Sequence, residues 1–242
     1  EISQHRSVVG ILAWVARQCR PELGYYVSRL PSVQTVAKVS HLQETNKRVQ
    51  VAIDGANDGL YFKAGAFSWD DAILCTVTDA SWANDVKVVD DKVSPRRSQK
   101  GRITVLASPE AWRGEASTTR VIGWRSTLIR RICRSTRTAD TQCMLSGVEE
   151  GVRLGSDISD VHGVRTKQWE SSSRRCRKHL WIAGCDPLHT YLANPVCNGT
   201  EDKRLEIDLE DLRQMLWEYD ECNPKDDIGD DQMDNVVWIR VR

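Results

Sequence analysis

Residues 73–79 read Ile73-Leu74-Cys75-Thr76-Val77-Thr78-Asp79, a compact apolar and β-branched run that closes on a carboxylate. Such a run predicts a strand, and an acid at its end is either a ligand or the start of a turn. Working outward, Arg102–Leu106 and Val121–Trp124 predict two more strands, the last with an extension over Leu128–Cys133, and Leu60–Ala64 predicts a short one upstream. Thr138 caps a helix reaching about Arg153, with Thr141, Met144 or Leu145, Val148 and Val152 on its buried face. His179–Ala183 is a further apolar strand, and Asp186-Pro187 opens a short helix through Ala193. Leu205, Leu209, Leu212, Leu216 and Tyr219 share one face of a helix over about 202–220, and Asn235–Val241 is a closing strand. Strands, a helix, a strand, two helices and a last strand make an α/β mixed sheet with an antiparallel start.

Ahead of this unit the spacing is helical. Val8, Leu12, Val15, Ala16 and Cys19 line one helix, and Pro21 ends it and starts the next. Leu23, Tyr26, Val27 and Leu30 mark a second helix closed by Pro31, and a third spans Thr35 to Ala52 with Val39, Leu42, Asn46 and Val49 along one face. The turn cluster from Asp54-Gly55 to Asp58-Gly59 follows. The expected division is therefore a helical segment over 1–58, needing a partner surface, and a sheet domain over 59–242. Polar loops are expected at 85–100 and 154–172.

The 242 residues are 40% hydrophobic and 28% charged, enough for a sizeable core. No stretch approaches the roughly 18 uninterrupted apolar residues of a membrane span. The chain opens at Glu1 with no charged-then-apolar leader, and reads as a piece of something longer. Its eight cysteines form no Cys-x-x-Cys pair, which argues against zinc and fits reduced thiols in an intracellular protein. His5, His41, His162, His179 and His189 lack ligand spacing, and there is no glycine-rich phosphate loop or Gly-x-Ser-x-Gly elbow.

The 34 basic and 34 acidic residues cancel, but they are segregated. Residues 201–242 hold 14 acids and six bases, and residues 120–137 hold six arginines and no acid. A second basic run spans Arg165 to Lys178. Such stripes suit a phosphate-backbone binder or a pair of solvated faces, and charge alone does not separate the two.

The residues also carry a family likeness. Arg6 through Leu30 resembles the segment after the reverse transcriptase palm in copia-type (Pseudoviridae-like) LTR retrotransposon Pol polyproteins. Thr78-Asp79-Ala80-Ser81-Trp82-Ala83-Asn84-Asp85 resembles that family's first ribonuclease H strand, whose Asp is a metal ligand. Ser98-Gln99-Lys100-Gly101 is similar to its turn into the second strand, and Trp124-Arg125-Ser126 to the third. Leu192–Pro195 and the 202–216 helix resemble the domain's tail. The resemblance implies a ribonuclease H-like mixed five-stranded sheet flanked by helices, with a reverse transcriptase connection segment before it. It implies cleavage of the RNA strand of RNA–DNA hybrids by two Mg²⁺ (or Mn²⁺) ions about 4 Å apart. Hybrid or RNA and the upstream palm are the implied partners, in a cytoplasmic virus-like particle or the nucleus.

The family uses four acids. Asp79 stands for the first. On the helix, Thr136–Cys143 aligns Gln142 with the expected Glu, and Asp140, two residues away, is expected to point away from the sheet. Gly184 stands where the third acid is expected, with Asp186 a possible substitute or a helix N-cap, and the fourth falls beyond Arg242. The implied outcome is a fold with its basic groove retained (Arg125, Arg130, Arg131, Arg134, Arg137) and hydrolysis weak or absent. The alternatives are a hybrid-binding module without activity, or a structural remnant.

Overall fold

In the computed structural model, the segment 73–79 belongs to a longer strand, β1 (Ile73–Asp85), at the centre of the sheet. The structure describes residues 2–36, 38–85, 88–89, 92–93, 96–163, 178–194, 201–217 and 234–238. A small hairpin, β2 (Val88–Val89) and β3 (Lys92–Val93), leads into β4 (Arg97–Ala107) and β5 (Thr119–Leu128). Helix α4 (Thr136–Val161) follows, then β6 (His179–Ala183), α5 (Asp186–Ala193), α6 (Lys203–Trp217) and β7 (Asp234–Trp238). Three helices precede them: α1 (Ile2–Gln18), α2 (Gly24–Arg29) and α3 (Val39–Asp54). The five-stranded sheet runs β5-β4-β1-β6-β7. The pairs β5–β4 and β4–β1 are antiparallel, and β1–β6 and β6–β7 are parallel. This is the expected ribonuclease H-like mixed sheet, flanked by helices and preceded by a helical segment.

Several boundaries differ from expectation, each for a local reason. Leu60–Ala64 forms no strand, and Tyr61 and Phe62 are largely exposed. Asp79 does not end β1, because pairing to β4 continues through Ser81 and resumes after a bulge at Asp85. The expected extension over Leu128–Cys133 leaves the sheet after Ile129 N–H donates to Ser98 O at 2.8 Å. Ser135, not Thr138, caps α4: its Oγ accepts from the Thr138 N–H at 3.2 Å. Strand β4 and helix α4 each take residues from the two expected loops, and residues 164–172 lie outside those described, as do the Arg165–Arg177 run and Tyr219. Pro31 does not close a helix; a 3₁₀ segment, Leu30–Val36, runs through it. Cys19 and Val39 are exposed.

Helix α4 lies against β1 and β6 through small residues. A Cβ at Gly147 would meet Thr78 Cγ2 at 2.4 Å, so the helix backbone sits directly on the strand. Its Met144, Val148 and Val152 join Trp181, Leu188 and the Leu205, Leu209, Leu212, Leu216 face of α6 in the largest core. On the opposite face Ile73, Cys75, Ala107 and Leu180 pack beneath Trp112. No helix among the described residues is long and apolar enough to cross a membrane.

The first three helices share a small core of Val9, Leu12 and Leu30 and meet the sheet at β4 and β5. Trp124 Nε1 donates to Ala16 O at 2.7 Å, and Gln99 Nε2 donates to Ser28 Oγ and Ser126 Oγ, each at 2.7 Å. Arg20, 5% exposed, donates to the carbonyls of Val51, Ala52 and Gly55 at the C-terminal end of α3, and pairs with Glu22. A cation there offsets the helix dipole and satisfies carbonyls that have no partner within the helix. Arg20→Ala is expected to lower stability by about 2 kcal/mol, measured by urea unfolding, because those carbonyls lose their donor.

Candidate active site and cationic groove

Strand β1 has an antiparallel neighbour on one side and a parallel neighbour on the other, so the chain switches direction around it. Ligands of open α/β sheets gather outside the C-terminal ends of strands at such points. Two carboxylates flank β1 there, Asp79 on one face and Asp140 on the side of α4. Thr76 and Thr78 face α4, so strand alternation turns Asp79 to the other face, where it is exposed. Asp140, on the second turn of α4, accepts the Ala80 backbone N–H on Oδ1 at 3.1 Å. Burial pushes the Asp140 carboxyl up from 3.8 to about 6; the neighbouring Asp79 charge adds to the rise, and hydrogen bonds from Cys185 and Ala80 oppose it. Burial also pushes the Cys185 and Cys143 thiols up to about 12, so both remain donors. Cys143 Sγ donates to the backbone oxygens of Asp79 and Gly101, at 3.1 Å each, which ties α4 to the strands beneath the acids.

The expected residues are redistributed. Asp140, not Gln142, stands beside Ala80 of β1. The Ala80 contact shows that Asp140 does not point away from the sheet as expected, although it lies about 200° round the helix from Gln142. Gln142 instead lines a groove with Lys100, Arg102 and Arg125. The missed signal was the run of small residues: stepping back by fours from Gly151 through Gly147 reaches Cys143, and three before that is Asp140. Gly184 is half-buried just past β6. Asp186 is exposed and is the first residue of α5, with Cys185 at the cap position expected of Asp186.

The arginines are not one stripe on the third strand. Only Arg120 and Arg125 lie on β5; Arg130, Arg131 and Arg134 follow it, and Arg137 is in the first turn of α4. Arg131 forms an ion pair with Asp208 on α6, and Arg134 lies 3.9 Å from Asp202, which also caps that helix through the Arg204 N–H at 3.1 Å. Arg125 and Arg130 are exposed and line the groove.

Two carboxylates suit one hard divalent cation: Mg²⁺ commonly takes one or two, and fills its shell with water and substrate phosphate. They do not suit a pair. Among the described residues no cluster of three or more His, Cys, Asp or Glu is arranged to hold a metal ion.

No family model and no curated protein matches this chain. Among solved structures it is similar to the N-terminal RNase H domain of a Mycobacterium tuberculosis protein, at 9% identity over 70% of this chain and 83% of that one, TM-score 0.39. It is also similar to RNase H1 from the halophilic archaeon Halobacterium salinarum NRC-1, at 10% identity over 69% and 85%, TM-score 0.37. A third likeness is to a foamy viral protease–reverse transcriptase in complex with RNA/DNA hybrid, at 10% identity over 74% and 19%, TM-score 0.34. The strand order β5-β4-β1-β6-β7 and its register define the fold of this chain.

Proposed function

We propose that the chain is the connection and ribonuclease H-like region of a copia-type retrotransposon Pol polyprotein, with residues 1–58 as connection and 59–242 as the nuclease-like domain. Its substrate class is the RNA strand of RNA–DNA hybrids, and its hydrolysis is impaired. The observation that supports this is the mixed sheet β5-β4-β1-β6-β7, with Asp79 on its central strand and Asp140 of α4 bonded to the N–H of the next residue, Ala80, near enough for the Asp79 charge to act on it. A divalent cation held by these two acids would supply Lewis-acid activation of water and charge for the leaving oxygen. Asp140, with its carboxyl near 6, can hold or release a proton close to neutral pH. The exposed Arg125 and Arg130, with the half-buried Arg137, would grip the duplex through its backbone and 2′-hydroxyls rather than its base edges.

Impairment follows from charge. Two divalent ions about 4 Å apart repel by on the order of 15 kcal/mol at an effective dielectric near 20. Two acids offset far less of that than four would, and Gly184 contributes no side-chain oxygen. Hybrid binding without hydrolysis is the second reading, favoured by the same shortage of acids, with a structural remnant behind it. An intracellular site, in a virus-like particle or the nucleus, belongs to the retrotransposon assignment.

The test is cleavage of a labelled RNA–DNA hybrid in Mg²⁺ and in Mn²⁺. Slow cleavage lost in both Asp79→Asn and Asp140→Asn is expected. Fast cleavage would refute impairment, and cleavage indifferent to Asp79 would refute the site. Hybrid binding without any cleavage would establish the second reading.

A further inference from the structure

Trp82 is an exposed aromatic residue that the acid pair does not use, and the fold holds it in one orientation. It follows Asp79 by three residues on β1 and remains 45% exposed. Its indole Nε1 donates to Cys133 O at 3.0 Å, so the ring is pinned at its polar end while much of its surface stays open. Cys133 is buried and packs with Ile129 and Ala139 against Ala80, which places the indole on the Asp140 side of β1. Ala80, whose N–H bonds Asp140, and Trp82 are two residues apart, about 7 Å along the strand.

The backbone beside the ring is strained. Ala83, alone among the described non-glycine residues, has a positive φ, 53°, in the left-handed region. Pairing to β4 is interrupted between Ser81 and Asp85, and the Ala83 N–H donates instead to Ser98 Oγ at 3.1 Å. Ser98 is 1% exposed, and its carbonyl accepts the Ile129 N–H at 2.8 Å. One buried serine therefore ties the bulge to the turn that carries Cys133. Bulges re-aim side chains, and strain of this kind gathers where a ligand is met.

The surroundings indicate what the open ring takes. Residues 120–137 carry six arginines and no acid, and Arg130 and Ile132 of the adjoining turn are exposed. An aromatic face set among cations suits a polyanion that has π-faces of its own, a nucleic acid rather than a peptide. Within a duplex each base is already stacked on its neighbours, so only an unpaired base can lie on the indole. We propose that Trp82 is a stacking platform for an unpaired base, with Ser98 as its positioning residue, and that the protein therefore prefers a hybrid carrying a single-stranded extension to a blunt one. The contact is with the face of a base and is separate from backbone and 2′-hydroxyl contacts along the duplex. The platform needs only single-stranded nucleic acid; the preference among hybrids rests on the hybrid reading.

Two titrations on the full chain, without divalent metal, test it. In the first, anisotropy follows a labelled RNA–DNA hybrid that is either blunt or extended by a short single-stranded RNA tail. The tail is expected to tighten binding by the parent about tenfold. Trp82→Leu should reduce that ratio to below about twofold, and Trp82→Phe, which keeps a smaller ring, should give an intermediate ratio. The ratio cancels what a substitution does to duplex contacts, and thermal unfolding verifies the fold of each variant. Ser98→Ala should lower the ratio as well; a ratio equal to the parent's removes the serine from the proposal. In the second titration, single-stranded RNA alone is expected to quench the intrinsic fluorescence of the parent, and Trp82→Leu to lose that quenching. Hybrid bound with the same ratio in the parent and Trp82→Leu overturns the platform and leaves the hybrid reading standing. Quenching by single-stranded RNA that is lost in Trp82→Leu, with no hybrid bound, supports the platform and overturns the hybrid reading. Binding of neither nucleic acid overturns both.

Discussion

Gly151→Val is expected to destabilise the protein by about 3 kcal/mol or more, enough to leave it largely unfolded if the parent is of ordinary stability. Even a bare Cβ at this position would lie 2.5 Å from His179 Cε1 and 2.7 Å from two ring carbons of Trp181. Neither ring can swing aside. They stack with centroids 3.4 Å apart, both are almost completely buried, and His179 Nε2 is hydrogen-bonded to Thr76 Oγ1 at 2.9 Å. Two further methyl groups would force α4 away from β1 and β6, and with it Asp140. Gly10→Ala is the control: on the exposed face of α1, with nothing within 4 Å of the new Cβ, it should stabilise by about 0.5–1 kcal/mol through helix propensity. Urea unfolding reads both. A Gly151→Val protein as stable as the parent would show that α4 is not seated on the sheet through its glycines.

Asp140→Asn is expected to stabilise the protein at pH 8 and to do nothing below about pH 4. The sign follows from linkage. The carboxyl titrates near 6 in the folded chain and near 3.8 when free, so between these values the folded state holds the extra proton. Stability therefore falls as pH rises through that window, and the penalty is complete above it. Solvent reaching this half-buried group screens part of the effect, which leaves about 1–2 kcal/mol. Asparagine keeps an oxygen for the Ala80 N–H and removes the charge. Added Mg²⁺ should raise the melting temperature of the parent at pH 8, by mass action on the folded state, and leave Asp140→Asn unmoved. A melting temperature for Asp140→Asn that tracks the parent at every pH would remove the raised carboxyl, and with it the physical case for a cation there.

Much of the sheet was legible because its buried strands carry continuous apolar runs. His179–Ala183 and Asp186–Ala193 match the expected ranges, and the four leucines of α6 are buried where their spacing put them. The second half of β1 was hidden for the opposite reason: past Asp79 one face is open, Trp82 is 45% exposed, and no alternation survives to announce a strand. Helix phase was the more consequential gap. Spacing fixed the angle between Asp140 and Gln142, but only contact with the sheet shows that Asp140 reaches β1 while Gln142 lies over β4 and β5, and the glycines that encode that contact leave no apolar stripe. Nor does a string of arginines say which are already engaged. Arg131 and Arg125 look alike in the sequence, and only one of them has an aspartate across from it.

That aspartate has a consequence for recognition. Asp208 acts on Arg131 as a tethered counter-ion, always present at high local concentration. A strand arriving at Arg131 has to exchange with a carboxylate rather than occupy an open site, and such an exchange frees few ions to the solvent. Arg131 should then add little to the response to ionic strength. Salt sensitivity would reside where no carboxylate stands across from the cation, as at the exposed Arg125 and Arg130.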